Sequence, residues 1–312
     1  MYKEILIPVD GSRFGERALP VGLGIAAEAG GRVRIVTVIT PLPMDDTQED
    51  SFQTEEGRLL LAVGQAEAYH EELEARLRRE GFEVPISYHV EPGQVVDALD
   101  RHVRDSGTDL LVMTTHGRGP LRRAWLGSVA DGLLRRTPCP ILAIRPREGE
   151  EPNLRFEAFR HMVITMDGSV EARNILPFAE GLAGTSMAQL TLLQVIPRQY
   201  PLTAPYTSHA SHGFQGLDAE TAVADAEKAL DRIAPPLRER GFRVETETVW
   251  GAHPAEGILE FVESHDVDVI AMETHGRGGV ARLILGSVAD KVIRGATVPV
   301  LLHRSETAGD RI

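Results

Sequence analysis

The chain is written twice, and that duplication constrains its fold more than any other feature. Ile5-Leu6-Ile7-Pro8-Val9-Asp10-Gly11-Ser12 recurs as Met162-Val163-Ile164-Thr165-Met166-Asp167-Gly168-Ser169. Thr115-His116-Gly117-Arg118-Gly119 recurs as Thr274-His275-Gly276-Arg277-Gly278, and Leu126-Gly127-Ser128-Val129-Ala130-Asp131 as Leu285-Gly286-Ser287-Val288-Ala289-Asp290. The offset is 157 from Asp10 to Asp167, 160 from Gly81 to Gly241 and 159 from Gly127 to Gly286, so small insertions and deletions separate shared blocks. A period this long describes two domains rather than the short units of a solenoid. The 312 residues suffice for two domains of ordinary size. We place them at residues 1–146 and 158–305, joined by a polar linker at 147–157.

Within each half, strand and helix patterns alternate. Residues 5–9 form a short, almost wholly apolar run, which a strand buried on both faces requires. Ser12 can cap a helix running to about residue 29, where Gly30 and Gly31 stop it. Residues 33–39 are β-branched and read as a second strand, followed by a polar loop over 41–54. A long helix follows with Leu60, Val63, Ala66, Leu73 and Leu77 on one stripe, ended by Gly81. Strands at 83–90, 109–114 and 141–145 and helices at 93–106 and 128–136 complete the half. In the second half Val223, Ala226, Leu230, Ile233 and Leu237 form the matching stripe. The pattern predicts an α/β fold of two tandem doubly wound domains, each a five-stranded parallel sheet with helices on both faces.

Composition narrows the function. The net charge of −13 is a poor match to a nucleic-acid backbone or an anionic membrane surface. The single cysteine, Cys139, excludes an internal disulfide and a cysteine metal cluster, and it reads as a small buried side chain. No apolar run approaches the roughly 18 residues of a membrane span. The N-terminal apolar run is too short for a signal peptide, so a cytoplasmic location is expected.

Two constellations can carry chemistry. Strand four ends at Thr114, a glycine-bearing loop follows, and a helix starts at Ser128. Backbone N–H groups and a helix N-terminus make an anion site; Gly117 and Gly127 let a phosphate approach the backbone, and Ser128 can donate its hydroxyl. Ser128-Val129-Ala130-Asp131 also reads as a capping box that needs no ligand. Asp10 and Asp167 end the first strand of each half, where doubly wound sheets bind ligands, and a carboxylate there accepts hydrogen bonds from an amine or ribose hydroxyls. Asp-Gly-Ser is equally good turn chemistry. His116 and His275 can touch phosphate in a positioning role. Other signals are weaker. Gly22-Leu23-Gly24 lies inside a helix rather than after a strand, no Walker loop is present, His209 and His212 sit in a polar loop, and residues 45–50 are an acidic loop.

Taken together, Val9-Asp10-Gly11-Ser12, the Thr-His-Gly to Gly-Ser-Val-Ala-Asp block and Pro138-Cys139-Pro140-Ile141-Leu142-Ala143-Ile144 resemble the universal stress protein family in its tandem form. ATP-binding members of that family carry Gly-x2-Gly-x9-Gly-Ser/Thr. Gly117, Gly127 and Ser128 match it, as do Gly276, Gly286 and Ser287, whereas Thr114 and Glu273 replace the first glycine. The resemblance implies ATP contacts from Pro8, Val9, Asp10, Val38, Met113, Thr114, His116, Gly117, Arg118, Gly127, Ser128 and Val129. In the second half it implies them from Asp167, Val195, Met272, Glu273, Gly276, Arg277, Gly286, Ser287 and Val288. It places Val90 and Gly93, and less closely aligned Val249 and Gly251, at the pocket wall.

The resemblance further implies Mg²⁺ held through the ATP phosphates, no catalysis beyond slow ATP hydrolysis, a protein partner, and last strands that pair as an intrachain pseudo-dimer or build a homo-oligomer. The alternatives are a family member that binds no nucleotide and acts through protein partners, and an ATP-cleaving or adenylating enzyme, whose Ser-Gly-Gly-x-Asp-Ser and His-x-Gly-His patterns are missing. Glu273 brings an anion toward a polyphosphate, so the first half is expected to bind ATP better.

Overall fold

The computed structural model describes residues 2–40, 55–115, 127–145, 156–197, 219–274 and 285–305. The chain divides into two compact units, Met1–Ala158 and Phe159–Ile312. Unit 1 runs β1 (Glu4–Pro8), a 3-10 turn (Gly15–Arg17), α1 (Ala18–Ala29), β2 (Arg32–Ile39), α2 (Glu55–Arg79), β3 (Ile86–Pro92), α3 (Val95–Ser106), β4 (Leu110–Thr114), α4 (Ser128–Arg136) and β5 (Ile141–Ile144). Its strands are parallel in the order β3-β2-β1-β4-β5. Unit 2 repeats the plan with β6 (His161–Met166), a 3-10 turn (Glu171–Ile175), α5 (Leu176–Ser186), β7 (Gln189–Pro197), α6 (Ala219–Glu239), β8 (Val244–Gly251), α7 (Pro254–Ser264), β9 (Val269–Glu273), α8 (Ser287–Gly295) and β10 (Val300–His303). Its order is β8-β7-β6-β9-β10, again parallel.

This is the doubly wound architecture expected from the alternating pattern. Ile5, Leu6 and Ile7 are all fully buried, as are Val163 and Ile164 in β6, because helices cover both faces of each sheet. Right-handed crossovers put α1 and α2 on one face and α3 and α4 on the other. The packing agrees, with α2 lying on β2 and β3 and α3 against α4. In each sheet the strand order reverses between the first and fourth strands, which opens a crevice at their carboxyl ends.

Three local expectations are corrected. Ser12 does not cap α1; the helix starts at Ala18 with Arg17 as its N-cap, because Ser12 is held in a turn by Asp10. Strand three runs from Ile86 to Pro92 rather than over 83–90. Pro85 has no N–H to give the ladder, and its carbonyl accepts from Val33 at 2.9 Å, so regular pairing begins after it. On α2, Leu60 is exposed, and the buried stripe is Ala66, His70, Leu73 and Leu77. A histidine thus occupies the core position that Leu230 fills on α6.

His70 Nε2 lies 2.8 Å from the Thr37 hydroxyl, with the rings of Tyr69 and Tyr88 beside it. Burial, and then His89 nearby, hold its pKa below the ordinary histidine value. The unfolded chain therefore takes up the proton first as the pH falls below about 6.5, and stability is lost with it. Thermal stability is expected to fall as the pH drops below about 6.5, and His70→Leu to flatten that slope. An unchanged slope in the variant would remove His70 as its source.

A second prediction concerns the end of α5. Met187 is its C-cap in the left-handed region at φ 53°, and it is exposed. Gly30 caps α1 in the same conformation at φ 60°. A side chain there strains the backbone, and glycine removes that strain. Met187→Gly is expected to stabilise unit 2 by about 1 kcal/mol, a rise of roughly 2–4 °C in Tm measured by calorimetry.

Candidate functional site

The crevice of unit 1 is bordered by the end of β1, the end of β4 and the start of α4. Asp10 follows β1, and its Oδ1 accepts from the Ser12 backbone N–H at 2.9 Å and the Ser12 hydroxyl at 2.5 Å. The Ser12 oxygen in turn accepts from Gly15 N–H at 3.0 Å. Asp167 repeats the arrangement with Ser169 at 2.9 and 2.5 Å, and Ser169 Oγ accepts from Ala172 N–H at 3.1 Å. The turn chemistry of Asp-Gly-Ser is therefore built in both units, and one oxygen of each carboxylate is committed to it. In unit 1 a Cβ at Gly15 would stand 2.7 Å from Asp10 Oδ1, whereas unit 2 builds the same turn with Ala172 at that position.

At the other border, Gly127 rather than Ser128 is the N-cap of α4, and Gly286 is that of α8. The capping box read from the sequence is not formed: Ser128 and Ser287 are the first helical residues, and neither helix has a side-chain cap bond. Gly127 N–H donates to the Thr115 carbonyl at 2.8 Å, and Gly286 N–H to that of Thr274 at 2.9 Å. A Cβ at these glycines would fall 2.8 and 2.7 Å from those oxygens. Helix and strand end are thus clipped together so closely that only glycine fits. The strand ends are anchored in turn, Thr115 N–H to Ile144 O and Thr274 N–H to His303 O, both at 2.9 Å.

The structure places the remaining expected residues as follows. Pro8 is the last residue of β1, and Val9 N–H donates to Val36 O at 2.9 Å. Met113 and Thr114 are buried at the end of β4, as are Met272 and Glu273 at the end of β9. Val38 and Val195 lie half-buried near the ends of β2 and β7. Ser128 and Ser287 are exposed, with Val129 and Val288 half-buried beside them. His116, Gly117, Arg118, His275, Gly276 and Arg277 lie outside the described residues, as do His209, His212 and the acidic loop at 45–50.

The wall opposite the β1–β4 border differs between units. Strand register pairs Val38 with Glu91 and Val195 with Val249, so Gly93 and Gly251 hold equivalent positions. Gly93 is at φ 138°, a conformation glycine alone adopts readily, and nothing lies within 4 Å of its Cβ direction. The Cβ of Gly251 would meet Val195 Cγ1 at 3.0 Å and the His253 carbonyl at 3.2 Å.

Sequence reasoning missed two networks centred on buried carboxylates. Glu16, 6% exposed, accepts from the Tyr69 hydroxyl at 3.0 Å and from Arg76 Nη2 at 2.6 Å, tying α2 to the turn after Asp10. Burial, then the Glu16 charge, push the Tyr69 phenol far up. The second network surrounds Glu273. Its Oε1 accepts from the Ser305 N–H at 2.5 Å and hydroxyl at 2.8 Å, and its Oε2 pairs with His303 Nδ1 at 2.9 Å. Asn174 Nδ2 donates to Ser305 Oγ at 2.6 Å, and Phe178 stacks on His303 with ring centroids 4.2 Å apart. The Glu273 carboxylate is therefore enclosed by its own unit, which the bare charge argument did not foresee. No local motif announces either network; a polar residue at the end of an apolar strand is the only sequence signal.

Burial pushes the Cys139 thiol up to about 12, so it stays protonated and unreactive. Among the described residues, no group of three or more histidine, cysteine or acidic side chains is placed to hold a metal ion. No described helix is long and apolar enough to cross a membrane.

Comparison with known proteins gives consistent matches. A family model described as the universal stress protein family matches residues 1–145 and again 158–304. A universal stress protein of Synechocystis sp. is 25% identical over 97% of this chain and 100% of its own length. One from Methanocaldococcus jannaschii is 31% identical over 46% of this chain and 81% of its own. Among solved structures, a universal stress protein from Archaeoglobus fulgidus superposes with a TM-score of 0.70 at 19% identity, covering 97% of this chain and 99% of that one.

Proposed function

The chain belongs to the universal stress protein family, and on that footing we propose that it is an ATP-binding stress-response protein, a nucleotide-dependent sensor or interaction module of the cytoplasm. The observation that carries the reading is the border of the crevice at the strand-order reversal. There a glycine N-cap leaves the first turn of α4 without a side-chain cap, and an aspartate stands at the end of the neighbouring strand. N–H groups of a helix start attract phosphate, and a carboxylate accepts from an amine or ribose hydroxyls.

The residues fit the group. Ser128 is exposed and able to donate its hydroxyl, Gly127 keeps the helix start free of a side chain, and Val38 offers an apolar surface for a base. Bound ATP supplies the polyphosphate charge, with Mg²⁺ held through its oxygens and water. The role of the chain is to bind and orient; nothing in the reading requires more than slow hydrolysis. A protein partner would read the bound state.

One observation favours the alternative, a member that works through protein partners without nucleotide. Gly127 and Gly286 are required by the clip to Thr115 and Thr274 whether or not a phosphate ever approaches. Titration of MgATP into the full chain by calorimetry separates the two. Saturable binding is expected; its absence, with no ATP-dependent change in Tm, would leave the partner-only reading.

A further inference from the structure

The two units share the Asp–Ser turn and the glycine clip, yet three other features around the crevice differ, and each of these packs unit 2 more closely. The first is the latch. Asn174, in the turn that follows β6, is bonded to Ser305 just past β10, and Ser305 is bonded twice to Glu273 at the end of β9. One chain of hydrogen bonds thus ties together the turn after β6 and the ends of β9 and β10. His303 locks the other Glu273 oxygen from the same strand, under the Phe178 ring. In unit 1 Arg17, Pro146, Thr114 and Ile144 stand at the sequence positions of Asn174, Ser305, Glu273 and His303, and they cannot form that set of bonds.

The second difference is the fit of the helix that covers the second strand. Ala98 and Gly257 are equivalent: each donates its N–H to the N-cap carbonyl, Gln94 or His253, at 2.9 and 3.1 Å. Ala98 carries a buried methyl, whereas a methyl at Gly257 would stand 2.7 Å from Val195 Cγ1. Helix α7 therefore lies down on Val195, where α3 leaves room for a side chain beneath it. The third difference is the wall already described, open at Gly93 and filled against Val195 at Gly251.

We propose that the chain binds a single nucleotide, in unit 1, and that the crevice of unit 2 is held shut by the Asn174–Ser305–Glu273 latch and the seating of α7 on Val195. The inference rests on the nucleotide reading of the crevice and adds to it which copy is open. Unit 2 keeps the duplicated turn and clip because both serve its fold.

The test uses the full chain and MgATP. Calorimetry is expected to give one site per chain, and a stoichiometry of two overturns the proposal while leaving the nucleotide reading intact. Absence of binding overturns both. Hydrogen–deuterium exchange with saturating MgATP locates the site without substitutions. Protection is expected over residues 9–15 and 127–131, with none over 167–172 and 286–290; protection of the second pair of segments overturns the assignment.

Discussion

Asp10→Asn is expected to weaken ATP binding at least tenfold while leaving the fold as stable as before. The substitution separates two roles that the wild-type carboxylate combines. Asparagine keeps a side-chain oxygen where Asp10 Oδ1 accepts from the Ser12 N–H and hydroxyl, so the turn survives. It removes the negative charge that would accept from the ligand. Hydrogen bonds to charged groups contribute about 1.5–3 kcal/mol, and roughly 1.4 kcal/mol is already a factor of ten in affinity. Asp10→Ala should in addition lower stability by about 1 kcal/mol, because the Ser12 N–H loses its acceptor. Calorimetric titration beside thermal melts gives both numbers. Should Asp10→Asn bind ATP as the wild type does, the aspartate serves the turn alone.

Gly127→Val is expected to cost unit 1 about 2–4 kcal/mol, the sum of overpacking and a poor N-cap residue. The reason lies in a single contact. A Cβ at this position falls 2.8 Å from the Thr115 carbonyl oxygen, and that oxygen already accepts from Gly127 N–H. Neither side can yield cheaply, since both are backbone and Thr115 is itself anchored to β5. The helix start must move away from the strand end, and the proposed phosphate site moves with it. Gly286→Val should show a similar loss in unit 2, where the contact is 2.7 Å. Denaturant unfolding reads both variants. A loss below about 0.5 kcal/mol would mean that the clip relaxes freely, leaving these glycines for a ligand to explain.

Much of this was open to inspection in the sequence. The duplicated blocks gave two domains, and the unbroken apolar runs of β1 and β6 gave strands covered on both faces, because an apolar run without alternation is a local pattern that fits only a strand with both faces covered. The helix starts at Ser128 and Ser287 were legible for the same reason. His70 was not, since a periodicity rule assigns apolar residues to the buried stripe and cannot see that Thr37 on another element satisfies the ring. Leu60 failed in the opposite direction: its spacing is right, but its helix turn is left outside the packed face.

The sequence by itself determined the kind of fold, the order of its elements and the places of the Asp-Gly-Ser turns and the glycine-led helix starts, because periodicity, turn chemistry and duplication are all properties of short stretches. Only the tertiary structure decided what those residues do with one another. Glu16 finds Tyr69 and Arg76 from 53 and 60 positions away, and Glu273 finds Ser305 from 32. A carboxylate in a sequence is a charge of unknown environment; burial and its donors settle whether it faces a ligand or closes a latch. For Glu273 the charge alone pointed to repulsion of a polyphosphate, whereas the packing of β9, β10 and the turn after β6 gives that carboxylate to Ser305 and His303.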